Sequence, residues 1–103
     1  MSGILNSFNC KTFTEQLHSK FKVLLQGQDP VTLELIEVSE RNTPKTEAFS
    51  LMFRGPAAPR LAQQTWELEH EKLGRFPLFV TAVSGDQEGI TYESVFHRIR
   101  KDA

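Results

Sequence analysis

The chain has 103 residues, enough for one domain of common size, and its 12 basic and 13 acidic residues leave a net charge of −1. That balance lacks the basic surface needed to displace counterions from nucleic acid, and no apolar stretch approaches the ~20 residues of a membrane helix. The single cysteine, Cys10, allows no internal disulfide, and residues 1–8 carry neither a basic n-region nor a continuous apolar h-region, so a cytoplasmic location is expected.

The apolar share is 39%, but eight Phe, one Trp and one Tyr fall in periodic segments. Rings that each bury about 150–250 Å² can supply much of a core. Thr12-Phe13-Thr14-Glu15 fits a capping box. Phe13 and Leu17 follow four apart on one face. The spacing predicts one short helix over residues 12–18, too short to stand alone, whose apolar face plugs one end of a β structure.

From Lys20 the period changes to two, and strands are predicted at 20–26, 31–39, 47–54, 65–71, 76–84 and 89–97. Phe21, Val23 and Leu25 alternate with Lys22 and Leu24; Gly27-Gln28-Asp29-Pro30 is a turn. Val31, Leu33 and Leu35 continue the pattern, which then slips to Ile36 and Val38. One extra residue that returns the apolar set to its face is a β-bulge, expected at Leu35-Ile36. The polar loop from Glu40 to Thr46 contains Pro44 and should be exposed. Phe49, Leu51 and Phe53 alternate clearly, until Arg54-Gly55-Pro56-Ala57-Ala58-Pro59-Arg60 ends the strand, because prolines cannot continue a ladder. Trp66, Leu68 and His70 then alternate with Glu67, Glu69 and Glu71, and Gly74 supplies a reversal. Pro77 in the next arm marks an edge or first-residue position. After the turn at 84–89, Ile90, Tyr92, Ser94 and Phe96 form the last strand, and a charged tail from Arg98 should fray.

The fold expected is all-β with one short N-terminal helix: a six-stranded antiparallel meander, forming a small barrel or a sandwich, in a single domain over residues 1–103. Such a meander would leave edge strands free to pair with another chain.

Several pieces combine into a known pattern: Phe49-Ser50-Leu51-Met52-Phe53-Arg54-Gly55-Pro56, Leu68-Glu69-His70 with Leu73-Gly74, Leu78-Phe79, and Tyr92-Glu93-Ser94-Val95-Phe96. Over about residues 15–97 this resembles a family of small bacterial domains of unknown function. Trp66 stands where the family more often has tyrosine, and Leu61-Ala62-Gln63-Gln64 where Leu-Pro-Gln is expected; neither change threatens the fold. The resemblance implies neighbours of the phage-tail-collar type and carries no activity or catalytic residue.

The residues must therefore be weighed individually. Glu67 and Glu69 share a strand face about 6–7 Å apart, a separation usable for acid/base work, but a solvated face paired with basic neighbours is the simpler reading. His70 is in phase with Trp66 and Leu68, near the turn. It can act as a base or ligand, or hydrogen-bond a turn carbonyl and fix the 71–74 reversal, which is the preferred reading. His18, His70 and His97 are too scattered for a metal site, and no cofactor motif is present. Cys10 reads as a passive thiol. The segment Arg54–Arg60 is a candidate interaction loop, since arginines there rim Ala57, Ala58 and Leu61; a crossover folded over a barrel end is the simpler reading.

The function expected is a non-catalytic structural or interaction module with a protein partner or self-association. Two alternatives are a small-ligand barrel with a cavity lined by Phe49, Phe53, Trp66 and Phe79, and an enzyme using Glu67, Glu69 and His70.

Overall fold

A computed structural model describes residues 10–41, 43–44 and 46–99. The readings made for residues 1–8 and for the tail beyond Ile99 lie outside them. The helix, α1, spans Cys10–Thr14, so Thr12 sits inside it rather than at its cap, and the expected range of 12–18 is corrected. The reason is local. The Thr14 hydroxyl donates back to the Cys10 carbonyl at 2.8 Å, and beyond it Gln16 and Leu17 donate three residues back, to Phe13 and Thr14. This tightened turn ends at His18, whose φ of 69° is left-handed. Phe13 is fully buried, with its ring 6.0 Å from Phe49 and 5.5 Å from Phe96, so the plug forms as expected.

Six strands follow: β1 (Lys20–Val23), β2 (Val31–Glu40), β3 (Thr46–Gly55), β4 (Gln64–His70), β5 (Gly74–Gly85) and β6 (Ile90–Ile99). All pairings are antiparallel, and they close into a barrel in the order β1-β2-β3-β6-β5-β4. The chain thus runs as two three-strand meanders, with a crossover after Gly55 that carries β4 across to β1. Closure removes the free ring edges that a simple meander would expose. It also continues β6 to Ile99, where the Arg98 backbone pairs with Glu47, so the predicted fraying does not begin at Arg98.

The bulge at Ile36 is present: the register with β3 shifts between Leu35 and Glu37. Leu35 stays buried, Val38 returns to pack against the core, and Ile36 itself is displaced to 38% exposure. A second shift lies between Ala82 and Ser84 in β5, and leaves Val83 46% exposed. Both bulges sit in strands that change partners. β2 leaves β1 for β3, and β5 leaves β4 for β6. The extra residue supplies the bend a corner needs.

Inside, Phe21, Phe53, Phe76, Leu33, Leu51, Leu68 and Tyr92 are essentially inaccessible. Phe21 stands edge-on to Phe53 and Phe76 at 5.3 and 6.3 Å. The four residues proposed to line a ligand chamber do not share one. Phe53 is sealed inside and Phe79 stands on the outer face, 50% exposed. The indole of Trp66 donates to the Ala62 carbonyl at 2.9 Å, which ties down the crossover.

Candidate functional site at the seam between β1 and β4

β1 is short, and its register with β4 holds only Lys22–Glu69 and Val23–Leu68, extended by the Leu24 amide to the Glu67 carbonyl at 2.9 Å. On the Ser19 side a cleft of about 780 Å³ opens between the strands, with Ser19, Lys20, Lys22, Glu69, His70 and Glu71 along it.

Strand alternation turns His70 inward, and it is 3% exposed, with its ring centroid 4.4 Å from that of Phe21. Its Nδ1 accepts two backbone N–H groups of the β4–β5 turn, from Lys72 at 3.0 Å and Leu73 at 3.2 Å. The expected turn bond exists with reversed polarity, because the ring meets amides rather than a carbonyl. A nitrogen that accepts cannot carry the proton, so the neutral ring is protonated at Nε2. Nε2–H then donates to the Ser19 hydroxyl at 2.9 Å, and Ser19 donates on to the Gln16 carbonyl. Burial holds the His70 pKa below its ordinary value; smaller effects come from Glu71, which raises it, and Lys72, which lowers it.

A paired serine and histidine invites comparison with an activated nucleophile. There the imidazole must offer a bare nitrogen to the hydroxyl, with its other nitrogen donating to an orienting acceptor. Here the nitrogen that faces Ser19 carries the proton, and the bare one is occupied by two amides. The relay runs from His70 through Ser19 to Gln16, opposite in direction to what activation requires. The arrangement binds a turn, a strand and the helix–strand connection together.

Glu67 and Glu69 do not join it. Glu67 is exposed on the outer face, while Glu69 accepts from Arg75 Nε at 3.3 Å. Adjacent Lys20 bonds Glu34 at 3.1 Å, as does His18 at 3.2 Å. These partners, Lys20 first, hold the Glu34 carboxyl below its usual range. The result is a solvated face of alternating charges, as the simpler reading expected. Cys10 is half-buried, with its sulfur 3.9 Å from the Thr14 hydroxyl. Among the described residues no three His, Cys, Asp or Glu side chains are grouped to hold a metal ion, and no helix is long and apolar enough to cross a membrane.

The candidate loop is more firmly held than its composition implied. Arg54 donates to Asp86 at 2.9 Å and to the Thr91 hydroxyl at 3.1 Å. Asp86 in turn accepts the Glu88 and Gly89 amides, and these bonds, the Glu88 amide foremost, keep its carboxyl below the usual range. Arg54 is therefore a brace on the β5–β6 turn. Gly55 is buried in β3. A Cβ there would run into the Leu33 side chain. Leu61, expected at the surface, is 4% exposed and its amide donates to the buried Tyr92 hydroxyl at 3.0 Å. Pro56, Ala57, Ala58, Pro59 and Arg60 remain exposed.

A family model described as Domain of unknown function (DUF6916) matches residues 8–96. The chain belongs to that family. The match takes in both halves of the barrel, the crossover and every residue of the Ser19–His70 bridge. No curated protein and no solved structure matches the chain.

Within this DUF6916 domain, sequence reasoning found His70 but missed Ser19. The two lie 51 residues apart, and a lone serine between a helix and a strand gives no periodic signal. The available hint was the position of Ser19 just before β1, with His70 last in its own alternating run.

Proposed function

We propose that the chain is a non-catalytic structural or interaction module that works by contact with another protein chain. The observation that carries this reading is the pair Phe79 and Val95, which are 50% and 63% exposed. The register that sets Thr81 opposite Glu93 brings Phe79 level with Val95 on the outer face. There β5 and β6 part, and Ser94 Oγ takes over the Phe79 carbonyl at 2.7 Å. Two large apolar side chains exposed near the point where these strands part suit a protein contact. Because the ring is closed, the contact works through side chains rather than by adding a strand. The direction of the His70–Ser19 relay supports a non-catalytic role. The setting proposed is a phage-derived or tail-like assembly, supported by the neighbours that the family resemblance implies.

The test is light scattering on size-exclusion fractions over a range of concentrations, with pull-down by the tagged chain. Association is expected, and Phe79→Ser or Val95→Ser should weaken it roughly ten- to a hundredfold, since burying such a side chain is worth about 1.5–3 kcal/mol. A chain that stays monomeric at every concentration and captures nothing overturns the proposal.

A further inference from the structure

We propose that His70 is an acid-sensitive latch on the barrel, whose protonation at Nδ1 releases the β4–β5 turn and opens the seam between β1 and β4. The inference rests on which atoms face the ring. Nδ1 is held by two N–H donors, from Lys72 and Leu73. A proton placed there turns the acceptor into a third donor, so both bonds are lost at once and replaced by repulsion between like dipoles. The turn loses its anchor, and the Ser19 bond joins two elements of which one has come loose.

The seam is the place where such a loss matters. β1 and β4 share only Lys22–Glu69 and Val23–Leu68 in register, so the side-chain bridge holds a large part of that end. Among the charged groups around the ring, Glu71 favours an imidazolium and Lys72 opposes it, and burial outweighs both. On the β4 side stand Glu69, Glu71 and Lys72, on β1 Lys20 and Lys22, and on β5 Arg75. Lys20 is engaged by Glu34 and Arg75 by Glu69, while Glu71 and Lys72 act on the ring in opposite directions. The inner neighbour is the Phe21 ring.

The sign follows from linkage. The closed state holds the ring neutral, with its pKa lowered by burial, whereas an opened ring regains a value near 6.5. Opening therefore takes up one proton. As pH falls below about 6.5 the opening constant rises about tenfold per unit, and it levels off below the lowered pKa of the closed state.

The experiment is an NMR titration of the intact chain from neutral pH into acid, with amide hydrogen exchange read as protection factors. At neutral pH the His70 ring nitrogens should show the Nε2–H tautomer. In acid, protection at Lys72 and Leu73 should fall by about tenfold per pH unit through the linked window, while the β3–β6 ladder around Leu51 keeps its protection. His18→Gln should leave this response intact, because that exposed histidine pairs with Glu34 and does not contact the turn. His70→Asn, whose carbonyl oxygen accepts without titrating, should abolish it. An Nδ1–H tautomer at neutral pH, unchanged protection in acid, or an acid response that persists in folded His70→Asn overturns the proposal. Should His70→Asn fail to fold, the wild-type titration decides.

Discussion

The barrel is closed twice, by different means. Between β3 and β6 the register runs unbroken from Thr46–Ile99 to Gly55–Ile90, a ladder of backbone hydrogen bonds along two long strands. Between β1 and β4 the ladder is only two residue pairs and one further backbone bond, Leu24 to Glu67, and on the Ser19 side the closure is finished by an imidazole, a hydroxyl and a carbonyl. A backbone ladder is indifferent to side-chain chemistry and to pH over the physiological range. A closure made by a titratable ring is not. The same architecture thus contains one joint that tolerates substitution and acid, and one that depends on a few atoms.

Breaking the weaker joint should produce the largest effect. Phe21 fills the barrel behind the short seam and touches the rings of Phe53, Phe76 and His70. Phe21→Ala should cost about 3–5 kcal/mol, the usual range for emptying a buried aromatic site, as measured by denaturant unfolding. Amide exchange in the variant should accelerate first at Val23 and Leu68. Uniform acceleration that includes the β3–β6 ladder would show that the two joints are not independent.

The long joint is sharpened by a smaller change. Tyr92→Phe leaves the ladder and the ring in place but strands the buried Leu61 amide without its acceptor. A loss of about 1–3 kcal/mol is expected, felt in exchange at Leu61 rather than in β3 or β6. Smallest of all should be Glu67→Gln, on the exposed outer face beside the short seam, which should change stability by no more than about 0.5 kcal/mol. A larger effect would mean that the outer charges of β4 hold the seam after all.

How much of this could be read from the residues follows the same division. Period-two alternation located every strand to within a few residues. The slip at Leu35-Ile36 revealed a corner, because a misplaced apolar residue leaves a mark in the local pattern. The corner at Val83 left none, since Ala82 and Ser84 are small and fit either phase. Strand order beyond nearest neighbours was also hidden. That β6 lies against β3, and β4 against β1, depends on pairings between residues some 45 positions apart, which no local spacing records. The candidate site divided likewise. His70 announced itself by its phase, but its true partners were two amides, which every residue but proline carries, and a serine in the other half of the chain. Arg54 and Leu61 looked like surface features of a loop and proved to be a turn brace and a core residue. Their partners, Asp86 and Tyr92, arrive about 30 residues later.

The strand order carries a last consequence. Replacing β1, β2 and β3 by β4, β5 and β6 in the ring maps every pairing onto another that exists, and even the kink in the middle strand, at Ile36 and at Val83, falls in the matching place. The molecule has the connectivity of a symmetric homodimer fused into one polypeptide, with the stretch around Pro56–Pro59 as the joining tether. The departures from that symmetry, the helix and the Ser19–His70 bridge among them, are where the two halves differ in chemistry.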